Sequence, residues 1–248
     1  MPADDHPFDA LDKQLQMELL SVSPLTKAVL AFLSHFPLKW PFNKVVEMLK
    51  ARLVAGSSER IGLMLETCMA EVRKHETKIK ELSQGKPTEE VKAREEVSTD
   101  LLLDAARKAE NTRARERVKR IGLILANAVL EPKRADADEA EEMMRVAMEL
   151  SDRDIEYLRE LIRIEGSVLD TQDHVPRYDA HQRWEQGFWG TRINPEVDSV
   201  FSKLESYGLV ARIPPPNNLN ILADYQNRYV LLKKGLRFAA VTSQGAAR

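Results

Sequence analysis

The chain has 248 residues, of which 43% are hydrophobic and 31% charged, a composition typical of globular proteins and unlike that of disordered ones. Its 37 lysines and arginines nearly balance 39 acidic residues, so no overall charge indicates a nucleic-acid or membrane partner. A single cysteine, Cys68, excludes an internal disulfide and a cysteine-based zinc site. The acidic N-terminus is unlike a secretory signal, and no uncharged run approaches the ~20 residues of a membrane span. The cytoplasm is therefore the expected compartment.

Residues 1–56 form the first predicted domain, a set of apolar and basic helices. Ser23-Pro24 is typical of a helix start, and Pro37 interrupts the helix that follows it. Between residues 20 and 55, five basic residues accompany one acidic residue among apolar side chains such as Trp40. This pattern favours two core helices, and the alternative is a segment that lies on an anionic membrane surface.

Residues 57–150 form the second predicted domain, a helical bundle built around a long antiparallel helical hairpin. The first helix of the hairpin is expected from about Ser58 to Gln84. Its seam alternates spacings of four and three: Ile61, Leu65, Cys68, Val72, His75, Ile79 and Leu82. The second helical stretch is expected from Thr88 to Leu130, with a break near Asn111.

The string Arg-Ile-Gly-Leu occurs twice in this domain, beginning at Arg60 and at Arg120. A glycine inside a helix costs about 1 kcal/mol relative to alanine, so each one needs a compensating gain. The repeated glycine favours close packing where two helices cross, and the alternative is duplication of a helical unit.

Residues 151–245 form the third predicted domain, in which helices accompany two short strands. Ser151–Asp154 has the sequence of a capping box, opening a helix that ends at Gly166. The elements expected after it are a helix capped by Asn194-Pro195 and ended by Gly208, a strand over 209–213, a proline-rich turn, a strand over 229–232, and a last helix from Lys233.

The segment Leu204–Val210, followed by Tyr229–Gly235, resembles the recognition helix and wing of winged-helix proteins. That family has a Leu-x-x-x-Gly-Leu-Val helix exit and a Leu-Thr-x-x-Gly strand exit, although Leu232 replaces the hydroxyl residue here. The resemblance implies a small C-terminal winged-helix-like α+β domain. The expected fold class is therefore mainly α, with this domain following the helical bundle and its hairpin.

The order of elements along the whole chain also resembles bacterial abortive-infection proteins of the alpha type. The matching pieces are Glu59–Ile61, residues 118–132, residues 151–161, Gly208–Val210 and Lys234–Phe238. This resemblance implies a role in phage defence.

No catalytic motif is recognisable, so we expect neither enzymatic activity nor a cofactor. The one metal hypothesis concerns a polar segment with side chains that bind zinc or manganese: Asp170, Asp173, His174 and His181. Their spacing fixes no coordination geometry, and a solvated loop explains the same residues. The sequence therefore favours the loop over the metal site.

Two further sets of residues are candidate contact sites. A nucleic-acid contact through the wing would use its basic residues, Arg212, Arg228, Lys233, Lys234 and Arg237. The preceding helix carries Glu196, Asp198 and Glu205, which would repel DNA, so a protein contact is favoured. Such a contact would use Trp184, Phe188, Trp189 and Lys203.

The function expected from the sequence is a non-enzymatic interaction or regulatory protein that binds a protein partner or a second copy of itself. The main alternative is a DNA-binding transcriptional regulator acting through the basic wing. The third hypothesis is a membrane-surface effector acting through residues 20–55. No small-molecule substrate is evident.

Overall fold

A computed structural model of the chain describes residues 58–75, 89–130, 137–166, 195–213 and 228–243. Within these ranges seven α-helices dominate, and two short strands form an antiparallel sheet. The prediction of a mainly helical protein with a small β element is confirmed. The helices predicted before residue 57 lie outside the described residues. The chain divides into two compact units, Met1–Met144 and Arg145–Arg248.

The first unit contains α1 (Ser58–Arg73), α2 (Glu89–Asn111) and α3 (Arg115–Leu130). Each of these helices contacts the other two, and α1 packs most extensively on α3. The three helices bury mostly aliphatic, sulfur-containing or alanine side chains, together with a few polar ones: Glu71, Ser98, Thr99 and Arg120. The fully buried apolar side chains include Ile61, Met64, Leu65, Cys68, Leu102, Ala105, Ala109, Val118, Ile121 and Leu125.

The seam predicted along α1 is buried as far as Val72, but the helix ends at Arg73 instead of continuing to Gln84. Lys74 N donates to Glu71 O and His75 N donates to Val72 O, which tightens the last turn and closes the helix. His75 is consequently exposed and is not part of the seam. Residues 76–88, which include the predicted reversal, lie outside the described residues.

The close approach between α1 and α3 occurs at Gly122, in the second of the two Arg-Ile-Gly-Leu strings. A side-chain carbon at this position would overlap the backbone carbonyl oxygen of Met64 and would lie 3.1 Å from Thr67 Cβ and 3.3 Å from Cys68 N. Glycine therefore lets the two backbones meet, and the packing gained offsets its low helix propensity. Cys68, on the same part of α1, is fully buried.

Helix α4 (Ala137–Glu149) spans the division between the units, and its last residues belong to the second one. The second unit continues with α5 (Asp152–Glu165), α6 (Pro195–Ser206), β1 (Val210–Ile213), β2 (Arg228–Leu231) and α7 (Lys233–Ser243). Helix α5 is central, because it contacts α6, β2 and α7. The strands pair antiparallel, from Val210 opposite Leu231 to Ile213 opposite Arg228.

The predicted capping box of α5 is confirmed. Asp154 N donates to Ser151 Oγ at 3.2 Å, and Ser151 N donates to Asp154 Oδ2 at 2.7 Å. The two side chains thereby satisfy two amide groups that the first turn of a helix leaves without a partner. The helix ends before Gly166, as the sequence predicts.

Two glycines shape the exit from α6 into the sheet. Gly208 has φ +66°, and the bonds from Gly208 N to Glu205 O and from Leu209 N to Leu204 O end the helix in a Schellman motif. Gly235, on α7, lies against Leu209, where a side-chain carbon would overlap the Leu209 carbonyl oxygen. The sequence motif thus needs glycine at both positions: Gly208 for its positive φ, and Gly235 for its close contact with Leu209.

Candidate interaction surface

Helix α6 turns its apolar side towards the core of the second unit and leaves a polar side exposed. Val197, Phe201 and Leu204 are buried, at spacings of four and three residues that place them on one face. The exposed residues lie between these positions and are acidic or carry hydroxyl groups: Glu196, Ser199, Ser202 and Ser206. The outward face of α6 therefore has no basic residue among its fully exposed positions in the described structure.

An aromatic column of Tyr157, Phe201 and Tyr229 passes through the unit and fixes α6 between α5 and β2. The Tyr157 and Phe201 ring centroids lie 6.0 Å apart in an edge-to-face arrangement, and those of Phe201 and Tyr229 lie 5.0 Å apart and are stacked. The guanidinium carbon of Arg153 lies 5.7 Å from the Tyr157 ring centroid, and that of Arg212 lies 5.4 Å from the Tyr229 ring centroid. An arginine therefore covers each end of the column.

Both arginines also form ion pairs with acidic residues of α6. Arg153 Nη2 lies 2.6 Å from Glu196 Oε2, and Arg212 Nη2 lies 3.3 Å from Glu205 Oε2. The Arg212 backbone N–H donates to the other carboxylate oxygen of Glu205 at 3.3 Å. Arg212, a predicted nucleic-acid contact, thus pairs with a carboxylate and lies over an aromatic ring of its own unit.

The other predicted nucleic-acid contacts lie on the last strand and helix. Lys233 is exposed at the start of α7, whereas Lys234 and Arg237 are half-buried and take part in interactions within the protein. The side chain of Arg228, on β2, lies outside the described residues. The structure therefore brings Lys233, Lys234 and Arg237 together on the first turns of α7, and it places Arg212 on β1.

Lys203, a predicted interaction residue, has an internal role in this structure. Its ammonium donates to the Glu149 carbonyl oxygen at 2.7 Å and to Asp154 Oδ2 at 2.9 Å, so it connects the end of α4, the start of α5 and α6. Burial acts to raise the pKa of Asp154, but the hydrogen bonds from Lys203 and Ser151, together with the Lys203 charge, outweigh it and lower that pKa. Asp154 therefore stays ionised and holds the three helices together.

A buried carboxylate, Glu165, was missed as a structural residue in the sequence analysis. It is the last residue of α5 and is fully buried, and its Oε1 accepts a hydrogen bond of 3.0 Å from Leu231 N. It thereby satisfies an amide on the edge of β2 that faces away from β1. The helical periodicity of the sequence indicates its burial, because Glu165 lies on the same buried side of α5 as Leu158 and Leu161.

The remaining predicted site residues lie outside the described residues: Trp184, Phe188, Trp189, Asp170, Asp173, His174 and His181. Within the described ranges, no group of three or more histidine, cysteine, aspartate or glutamate side chains is arranged to hold a metal ion. The helices described here also lack the combination of length and apolar content that a membrane-spanning helix needs.

No protein-family model matches the chain, and comparisons with curated proteins and with solved structures likewise find no match.

Proposed function

We propose that the chain is a non-enzymatic interaction protein whose C-terminal unit is a winged-helix-like module for contact with a protein partner or a second copy. In this interpretation α6 is the helix that a winged-helix protein presents to its partner, and β1 and β2 are the strands beside the wing. The segment interpreted as the wing itself, residues 214–227, lies outside the described residues. Helices α1–α3 are interpreted as part of a helical bundle with the predicted hairpin.

The order of elements and the two glycines support the winged-helix interpretation. Within the described residues the order is a helix, a second helix, two antiparallel strands and a last helix, and Gly208 and Gly235 occupy the glycine positions of the family motifs. Leu232 N donates to Leu209 O at 3.0 Å, so the strand exit is bound directly to the helix exit. The resemblance to abortive-infection proteins makes phage defence the proposed setting for such contacts.

The observation that carries the choice of a protein partner over DNA is the charge of the exposed face of α6. Its exposed residues are three serines and Glu196, and Glu196 is paired with Arg153, so among the described residues this face has no unpaired cation to neutralise the phosphates that a recognition helix has to approach closely. The nearest strand arginine, Arg212, is already paired with Glu205. A protein surface with basic or hydroxyl groups complements this face better than a polyanion does.

A titration with duplex DNA at several salt concentrations tests the choice, using the full chain and the variant Lys233→Ala/Lys234→Ala/Arg237→Ala. We expect binding at physiological salt no tighter than the ~10⁻⁴ to 10⁻⁶ M of non-specific contact, and little change in the variant. A nanomolar, sequence-dependent complex whose salt slope falls by nearly three in the variant would replace the proposal by a DNA-binding regulator.

Sedimentation analysis of the full chain tests the contact itself. If the partner is a second copy, Ser199→Arg on the exposed face of α6 should weaken self-association at least tenfold, whereas Glu156→Arg, an exposed position on α5, should not. The third hypothesis, a membrane-surface effector, rests on residues 20–55, which lie outside the described residues, and it stays a prediction.

A further inference from the structure

A second charged surface, which the sequence analysis did not single out, lies in the first unit where α2 turns into α3. Seven basic residues accompany two acidic ones between residues 107 and 120. The two helices are joined by the three residues Thr112–Ala114. The basic residues of the last turns of α2, of this connection and of the first turn of α3 therefore gather at one end of the helix pair. Three of them, Arg107, Arg113 and Arg115, are exposed, and we call these three the basic elbow.

The arginines of the basic elbow differ from the other basic residues around them. Lys108 pairs with Asp104, and Lys119 Nζ lies 2.7 Å from Glu116 Oε1, so these lysines are neutralised by their neighbours on the helix. Among the described residues, by contrast, the side chains of Arg107, Arg113 and Arg115 have neither a hydrogen bond nor an ion pair. All three residues are exposed, so no bond to another described residue needs to be broken before their guanidinium groups bind an anion.

The connection that carries these arginines is held in place by the rest of the unit. Thr112 is buried, its N–H donates to Ala109 O at 3.3 Å, and its carbonyl accepts a bond of 3.3 Å from Arg60 Nη1 on α1. The first amide groups of α3 add the positive end of a helix dipole at the same place. The backbone that carries the elbow is thus held in place before binding, and only the arginine side chains have to be ordered.

The side chains around the elbow decide between classes of anionic partner. Residues 107–117 include no aromatic side chain and no apolar one larger than alanine. Protein interfaces depend on buried aromatic and apolar anchors, and surface-bound membrane helices insert tryptophan, phenylalanine or leucine. Phosphate contacts need only positive charge and N–H donors, whereas base recognition and base stacking need further groups that the elbow lacks.

We propose that the basic elbow binds the phosphate backbone of a nucleic acid without reading its base sequence. This contact belongs to the first unit and is independent of the proposed protein contact of α6. It also assigns the weak, non-specific DNA binding expected of the full chain to Arg107, Arg113 and Arg115, and not to the basic residues of α7.

The test is a fluorescence-anisotropy titration of the full chain with short duplexes of two unrelated sequences, between about 50 and 200 mM salt. Three phosphate contacts predict a slope of log K against log salt of about −2.7, which is roughly a 40-fold loss of affinity over that range. Both duplexes should bind equally. Arg107→Ala/Arg113→Ala/Arg115→Ala should lower the affinity at the lowest salt at least tenfold and remove most of the slope.

The matched control is Lys233→Ala/Lys234→Ala/Arg237→Ala, which removes the same number of charges and should keep the slope of the unaltered protein. The single variant Arg113→Ala should reduce the slope by about 0.9, and it tests the proposal should the triple variant not fold. Polyglutamate and phosphatidylserine vesicles, offered under the same conditions, should bind more weakly than the duplexes. Unchanged DNA binding in the elbow variants, an equal loss in the control, or tighter binding to polyglutamate or vesicles would overturn the proposal.

Discussion

The helices of the two units are held together by different chemistry. In the first unit, α1 and α3 meet mainly through aliphatic side chains and a backbone contact at Gly122, and the buried carboxylate Glu71 pairs with Lys74, three residues along the chain, so the interface is defined mainly by shape. In the second unit, the aromatic column is accompanied by Asp154 and Glu165, two buried carboxylates that bind neighbouring elements. A shape-defined interface is sensitive to volume and to introduced charge. An interface that depends on a few directed bonds is sensitive to pH and to the loss of single acceptors.

The largest effect is expected where a charge enters the apolar interface. Leu65 is fully buried on α1, and Leu65→Asp places an unpaired carboxylate among aliphatic side chains. We expect the free energy of unfolding, measured by denaturant titration, to fall by more than about 2 kcal/mol. The control is Glu66→Asp, at the exposed neighbouring position, which should be nearly neutral. A loss below ~0.5 kcal/mol for Leu65→Asp would remove this residue from the core.

The next largest effect is expected at two glycines, one in each unit, where two stretches of backbone lie close together. Gly122→Ala and Gly235→Ala each add a carbon that overlaps a backbone carbonyl oxygen, and a backbone atom cannot move aside as a side chain can. We expect each variant to lose about 1–3 kcal/mol of stability in thermal or denaturant melts. Gly166→Ala is the control, because Gly166 has ordinary helical angles, φ −53° and ψ −29°. Equal stabilities for all three variants would show that neither approach is tight.

A smaller effect is expected from the buried carboxylate at the end of α5. Glu165→Leu removes the acceptor for Leu231 N and leaves that amide without its partner, at a cost of roughly 1–2 kcal/mol. Glu165→Gln keeps an acceptor oxygen and should retain most of the stability. Amide hydrogen exchange at Leu231 distinguishes the two, since exchange should accelerate in the leucine variant. Equal protection in both variants would mean that the bond from Leu231 to Glu165 does not hold the strand.

The smallest expected effect is a pH dependence of the stability, which comes from the Asp154 carboxylate in the second unit. The pKa of Asp154 is lowered in the folded state, so its ionised form stabilises the fold at every pH above the unfolded-state pKa of about 3.9. This contribution is lost as the pH falls through the lower folded-state pKa. Asp154→Asn should therefore be less stable than the unaltered protein at neutral pH, by about 1 kcal/mol, and the difference should shrink as the pH falls from about 5 into the acid range.

Melts of both proteins across that pH range provide the measurement. Lys203→Met, which removes the ammonium that binds Asp154, should reduce the same pH-dependent difference. A constant difference between the unaltered protein and Asp154→Asn at all pH values would contradict the assignment.

The features that the sequence predicted well are set by local chemistry. The capping box at Ser151, the helix end at Gly208 and the second short strand follow from residues within a few positions of one another. Such features depend on residue preferences at neighbouring positions and can therefore be predicted from a single sequence. The close contact at Gly122 was also anticipated, because a glycine in a helix interior needs a packing partner.

The features that the sequence did not predict depend on distant residues. The pairing of Lys203 with Asp154 joins positions 49 apart, and that of Leu231 with Glu165 joins positions 66 apart. Lys203 and Arg212 were read from their charge as contacts for a partner, yet their nearest acidic residues are supplied by their own unit. The extent of α1 was overestimated for a related reason, since an apolar repeat continues past Arg73 although the backbone turns there.

The burial of Cys68 makes the only thiol of the chain a reporter of motion in the first unit. Burial, and secondarily the charge of Glu71, raises the pKa of this thiol, so the reactive thiolate is scarce while the unit stays closed. A thiol reagent can therefore modify the protein only after the core around α1 opens. When reclosing is faster than modification, the labelling rate relative to that of the unfolded chain gives the opening equilibrium of this core, without any engineered probe.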